Sequence, residues 1–151
     1  MARLLLFLAT CGSVGYLPWA PGTWGSLLAL PLHFFLSHLE PRLYWSSLLT
    51  VIVLAVAAAG AAEKILDRKD PGVVVIDEVA GMLVTMIGAP QSLLAYVAGF
   101  LLFRLFDIVK PFPVCWADRH LNGGVGIVMD DLLAGGYALL CLQLLFRLLS
   151  L

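Results

Sequence analysis

The chain has 151 residues, 62% of them hydrophobic and only 13% charged, with a mean hydropathy of +0.99. A soluble domain carries about 25% charged residues, so a water-facing globule is excluded, and the wealth of apolar side chains excludes disorder. Nine Lys and Arg against ten Asp and Glu give a formal charge of −1, which offers nucleic acid no basic footprint.

In chain order, the first feature is a short apolar run, Leu4–Thr10, preceded by Arg3. It reads as a retained segment that either lies at a membrane interface or spans, because a Gly/Pro-rich loop comes directly after it. Within that loop Pro21 and Gly22 predict a turn, with Thr23 capping the next helix. The amide groups of such a helix start can hold a phosphate oxygen. Cys11, Cys115 and Cys141 form no CxxC pair and read as small buried side chains.

A membrane-crossing helix needs about 20 apolar residues. Leu43–Ala62 meets this without a charge, and Trp24–Leu39 is the shortest candidate. Val73–Gly88 carries Asp77 and Glu78 near its start, Ser92–Phe106 can extend to Lys110, and Leu132–Leu151 is interrupted by Arg147 alone. None shows the two-residue alternation of barrel strands, so the expected architecture is an all-α, polytopic membrane bundle forming one domain over residues 1–151. His33 and His38 fall toward the far side as core or interface residues, and Trp19, Trp24, Trp45 and Trp116 read as interfacial anchors.

Alternating the spans puts every Asp, Glu, Lys and Arg except Glu40, Arg42 and Arg147 on one face. Loop cations Lys64, Arg68 and Lys69 assign that face to the cytoplasm. On it Asp77, Glu78, Asp107, Asp130 and Asp131 converge from three spans, and Arg104, Asp107 and Lys110 succeed one another at intervals of three. Five carboxylates at low dielectric repel strongly unless something neutralises them. Mg²⁺ does so directly and commonly bridges carboxylates to a phosphate, so acids mixed with Arg and Lys suit a metal-assisted phosphoryl site. Asn122–Gly126 reads as a second Gly-rich loop, after which Asp130 or Asp131 serves equally well as a helix cap. Neither a nucleophile elbow of the Gly-x-Ser-x-Gly type nor a GxxxxGK[ST] phosphate loop occurs. The other reading of the acids is an ion site of a small cation- or proton-coupled transporter, which would place them near the membrane midplane.

Four stretches are more specific in combination than any of these features alone: PWAPGTWGS (18–26), VVVIDEVAGM (73–82), FRLFDIVKPFP (103–113) and DRHLNGGVGIVMDDLLAG (118–135). In these the chain resembles the phosphatidylglycerophosphatase A family of bacterial membrane lipid phosphatases, with Val128 standing where a Met is more usual. The resemblance implies an all-α bundle of about six helices in the bacterial inner membrane, its polar site at the cytoplasmic edge. It implies Mg²⁺-dependent hydrolysis of phosphatidylglycerol phosphate to phosphatidylglycerol and inorganic phosphate. Asp77, Glu78, Asp107, Asp130 and Asp131 are then assigned to metal binding or water activation. Arg104 and Lys110, with Arg119 as a third, orient the phosphate, while Thr23 and Ser26 contact the head group. Asp77, Asp107, Lys110 and Asp131 form the expected catalytic set. Water is the expected nucleophile, with a covalent phospho-Asp or phospho-Thr as the other route. Whether copies of the chain associate is left open.

Overall fold

The computed structural model describes residues 2–149. Among these it contains seven α-helices, one short 3₁₀ turn and no strand: α1 (Ala2–Ala9), α2 (Pro21–Leu36), α3 (Pro41–Leu66), α4 (Ile76–Thr85), α5 (Leu93–Val109), α6 (Val114–His120) and α7 (Gly123–Leu148). The all-α expectation holds.

Apolar length alone predicts five spans. Among the described residues only α3 and α7, each of 26 residues, are long and apolar enough to cross a membrane; α2, α4 and α5 have 16, 10 and 17 residues. The reason is clearest at α4, the axis of the bundle. It packs against α2, α3, α5 and α7, and nearly all its residues are buried. A helix encased in protein need not match a hydrocarbon thickness, and its ends are set by what its neighbours satisfy. Outside, α5 exposes Leu93, Val97, Leu101 and Leu105, and α7 exposes Leu140, Leu144 and Leu148. Such four-residue ladders of bare apolar side chains belong against lipid rather than water.

Helix α7 begins nine residues earlier than its expected start at Leu132, and the expected end at Ser150–Leu151 lies outside the described residues. The glycine run is therefore the first turn of α7 and not a loop, and Asn122 stands at the cap position. Asp130 and Asp131 lie in the helix interior, which removes them as caps. Glycine is a weak helix former, but Gly124 abuts the backbone of Val56 and Gly60 in α3, where a side chain has no room. Packing overrides propensity there. Thr23 is likewise no cap: Ala20 occupies that position, Pro21 opens α2, and the Thr23 amide donates to Ala20 O at 2.9 Å.

The close approach of α4 to α7 sets the position of the acidic residues on both helices. A Cβ at Gly135 would collide with the carbonyl of Gly81, so the two helices touch backbone to backbone. Gly135→Val is expected to force them apart and lower the thermal midpoint of the detergent-solubilised protein, at a cost of about 1–3 kcal/mol for overpacking. One residue on, Gly136 has nothing within 4 Å of its notional Cβ; Gly136→Val is expected to leave the midpoint unchanged.

Candidate active site

The polar end of the bundle is assembled from the start of α2, the start of α4, the last turn of α5, α6 and the early turns of α7. Asp77 and Glu78 lie in the first turn of α4, where a helix N-terminus favours negative charge. The α4–α7 contact brings Asp131 to them. One carboxylate oxygen from each of Asp77, Glu78 and Asp131 lies within 4.8 Å of the other two. Asp77 and Asp131 are buried, at 6% and 4% exposure, and Asp77 Oδ1 and Glu78 Oε2 have no hydrogen-bond partner. Buried anionic oxygens without donors are costly. Three hard oxygen donors facing one another, with Asp77 Oδ1 and Glu78 Oε2 unpartnered, have the chemistry that a divalent cation such as Mg²⁺ requires.

Asp107 joins this group from α5. Its carboxyl is close enough to Asp131 for a hydrogen bond and also faces Glu78. Arg104, one turn earlier, places Nη1 2.7 Å from Asp107 Oδ2. The approach is off the N–H direction, so this is a charge contact, and Nη1 is left without an aligned acceptor. Gly22 at the start of α2 closes the other side. A Cβ there would overlap Glu78 Oε1 and lie 3.1 Å from Arg104 Nη1.

The five carboxylates expected in one cluster divide into two groups. Asp130 and Asp131 are neighbours on a helix and so point about 100° apart; Asp131 faces α4 while Asp130 faces Lys110. The Lys110 ammonium donates to Asp130 Oδ2 and Asp118 Oδ1, both at 2.7 Å. Burial works against the Lys110 charge, but these two hydrogen bonds outweigh it and raise its pKa above the ordinary lysine value. Lys110 itself is left-handed, with φ 45°, just past the end of α5, and that backbone turn separates it from the helical stripe of Arg104 and Asp107.

The remaining expected residues are less involved. Ser26 is fully buried and its hydroxyl donates to Gly22 O at 2.8 Å, so its donor is spent within α2. Thr23 is half-buried in the same turn. Arg119 is exposed on α6 and makes no ion pair among the described residues, so the structure does not bring it into the cluster. Sequence reasoning passes over Asp118 as a bonding partner and Gly22 as a wall. The Asp118 signal is its place in the loop shared with Lys110, and only the fold shows that this loop turns back. Cys11 lies at the inner edge, where burial and, second, the charge of Glu78 push its thiol up to about 11. All three cysteines are partly buried and unpaired.

The family model of phosphatidylglycerophosphatase A matches residues 7–146. Phosphatidylglycerophosphatase A of Escherichia coli is 38% identical over 122 residues, covering 80% of this chain and 71% of the relative. The Haemophilus influenzae protein of the same name is 35% identical over 123 residues, covering 80% and 76%. A Bacteroides thetaiotaomicron protein, provisionally named a phosphatidylinositol-3-phosphatase, is 40% identical over 131 residues, covering 82% of each. No solved structure matches the chain. The family match contains every segment that supplies a carboxylate to the cluster, and with it the chain belongs to the phosphatidylglycerophosphatase A family and is an enzyme of that hydrolase class.

Proposed function

We propose that the protein is a Mg²⁺-dependent lipid phosphatase that removes the terminal phosphate of phosphatidylglycerol phosphate at the cytoplasmic face of the bacterial inner membrane. The observation that carries this reading is the meeting of Asp77, Glu78 and Asp131, with Asp77 Oδ1 and Glu78 Oε2 buried and lacking donors, in a chain of this family. The transporter alternative loses its support, because the acids gather at one end of the bundle and the family is one of hydrolases. The orientation rests on Lys64, Arg68 and Lys69 beside that end.

Asp77, Glu78 and Asp131 would hold the cation, which when bound supplies positive charge to phosphate oxygens that gain negative charge during hydrolysis. Arg104, whose Nη1 is paired in charge with Asp107 but has no aligned acceptor, has the planar geometry that suits a phosphate, and it orients the group from the side of Gly22. Asp107, with 15% of its side chain exposed, takes a proton from the attacking water. The water oxygen bonds to phosphorus, the ester P–O bond breaks, and the glycerol oxygen departs with the proton that Asp107 took from the water. Lys110 has two of its three donors engaged. It positions Asp130 and α6 and offers the third donor toward the phosphate. The acyl chains stay in the bilayer, so the head group reaches the rim without leaving the membrane.

The test is phosphate release by purified protein in detergent, with phosphatidylglycerol phosphate and phosphatidylinositol 3-phosphate offered separately. Release from the former that depends on Mg²⁺ and stops with chelator is expected. Well-folded protein that releases nothing from it overturns the proposal, and preference for the inositol lipid reassigns the head group.

A further inference from the structure

Below the carboxylate cluster an apolar groove runs down the side of the bundle between α1 and α2. It arises because α1 packs along α3 while α2 packs along α4, which leaves the two first helices separated. Its volume is about 410 Å³. Phe7 forms one wall and Leu28 the other; Leu54, Ile76 and Val79 lie between them, and Cys11 stands at the top. No charged or hydroxyl side chain lines it among the described residues.

The top of this groove is the edge of the candidate active site. Ile76 immediately precedes Asp77 and Val79 immediately succeeds Glu78, so the groove is lined by the same first turn of α4 that carries both acids. A ligand whose phosphate sits at the carboxylates would therefore find a hydrocarbon slot within a few bonds of it. That sequence of polar head and apolar tail is the chemistry of a phospholipid. On the reading of the protein as a lipid phosphatase, we propose that this groove receives one acyl chain of the substrate, and that chain engagement there brings the phosphate into register with the carboxylates. Bulk lipid gains no such register, because its head group has no phosphomonoester to place at the rim.

Groove-filling variants test this. Leu28 and Leu54 are 40% and 42% exposed, so Leu28→Trp and Leu54→Trp fill the slot from its open side with little demand on the core. Leu94→Trp adds equal bulk to an exposed apolar site on α5, away from the groove. Each variant is assayed with Mg²⁺ on long-chain phosphatidylglycerol phosphate and on a short-chain ester of the same head group. For both groove variants the KM for the long-chain lipid is expected to rise about tenfold, with kcat and the short-chain kinetics unchanged. Leu94→Trp is expected to match the unaltered protein on both. If the groove variants behave like Leu94→Trp, or lose both substrates equally, the groove assignment is overturned while the phosphatase reading stands. If the unaltered protein hydrolyses neither ester, the phosphatase reading fails and takes the groove assignment with it.

Discussion

Asp131→Asn is expected to reduce phosphate release by about 10³-fold or more, on the scale of losing one group that stabilises a transition state, while the bundle stays folded. The substitution keeps the volume of a side chain that is 4% exposed, and it removes only charge. In the unaltered protein the carboxylates of Asp77, Glu78 and Asp131 lie within 4.8 Å of each other, so deleting one also relieves repulsion. Without divalent cation the variant is therefore expected to melt no lower than the parent. With Mg²⁺ added, the parent is expected to gain thermal stability, as a protein whose folded state alone binds the ion does, and Asp131→Asn is expected to lose that gain. Asp107→Asn separates the roles. Asp107 stands at the mouth beside Arg104 and is not one of the three clustered ligands. Its Asn variant is expected to lose turnover yet keep the Mg²⁺-dependent shift in melting. Near-full activity in both variants would contradict the assignment of these carboxylates.

Lys110→Met is the second large effect. Its ammonium bridges Asp118 and Asp130, and Asp130 is buried with a second oxygen already lacking a partner. Removing one member of a fully buried pair costs about 3–5 kcal/mol because the other charge is stranded. The Lys110 side chain retains 28% exposure, so solvent screening reduces the expected loss to about 2 kcal/mol. The measurement is the thermal midpoint of Lys110→Met beside that of Lys110→Met/Asp130→Asn. If the stranded Asp130 charge is the cause, the double variant recovers much of the loss. Equal destabilisation in both would show that Lys110 acts through packing alone. Turnover is expected to fall as well, because the same bridge ties α6 and the end of α5 to α7.

The organisation of the site explains how much of it is legible in the sequence. The acids of α4, α5 and α7 are traceable to one end because helix direction comes from counting apolar spans, and side is a property of chain order alone. Their division into a group able to hold a cation and a lysine-bridged group is not traceable. Asp130 and Asp131 are adjacent in sequence and serve different partners, since a helix turns about 100° per residue and only the position of α4 says which direction is inward. Arg119 and Asp118 show the same limit: both are visible as loop charges, and the fold turns Asp118 toward Lys110 while leaving Arg119 in the open.

Composition by itself determined that the chain is lipid-seeking, because 13% charged residues cannot cover a water-facing surface, and long apolar runs without two-residue alternation made it helical. Four motif stretches pointed to its family, and the order of its spans and charges gathered the acids at one end. Tertiary structure alone decided where helices begin and end. Gly123–Gly126 became the first turn of α7 because α3 lies against it, and α4 shrank to ten residues because protein surrounds it. Local preferences for glycine or for a capping threonine amount to about 1 kcal/mol. Close packing of one backbone against another outweighs them, and it is a property of partners that lie far apart along the chain.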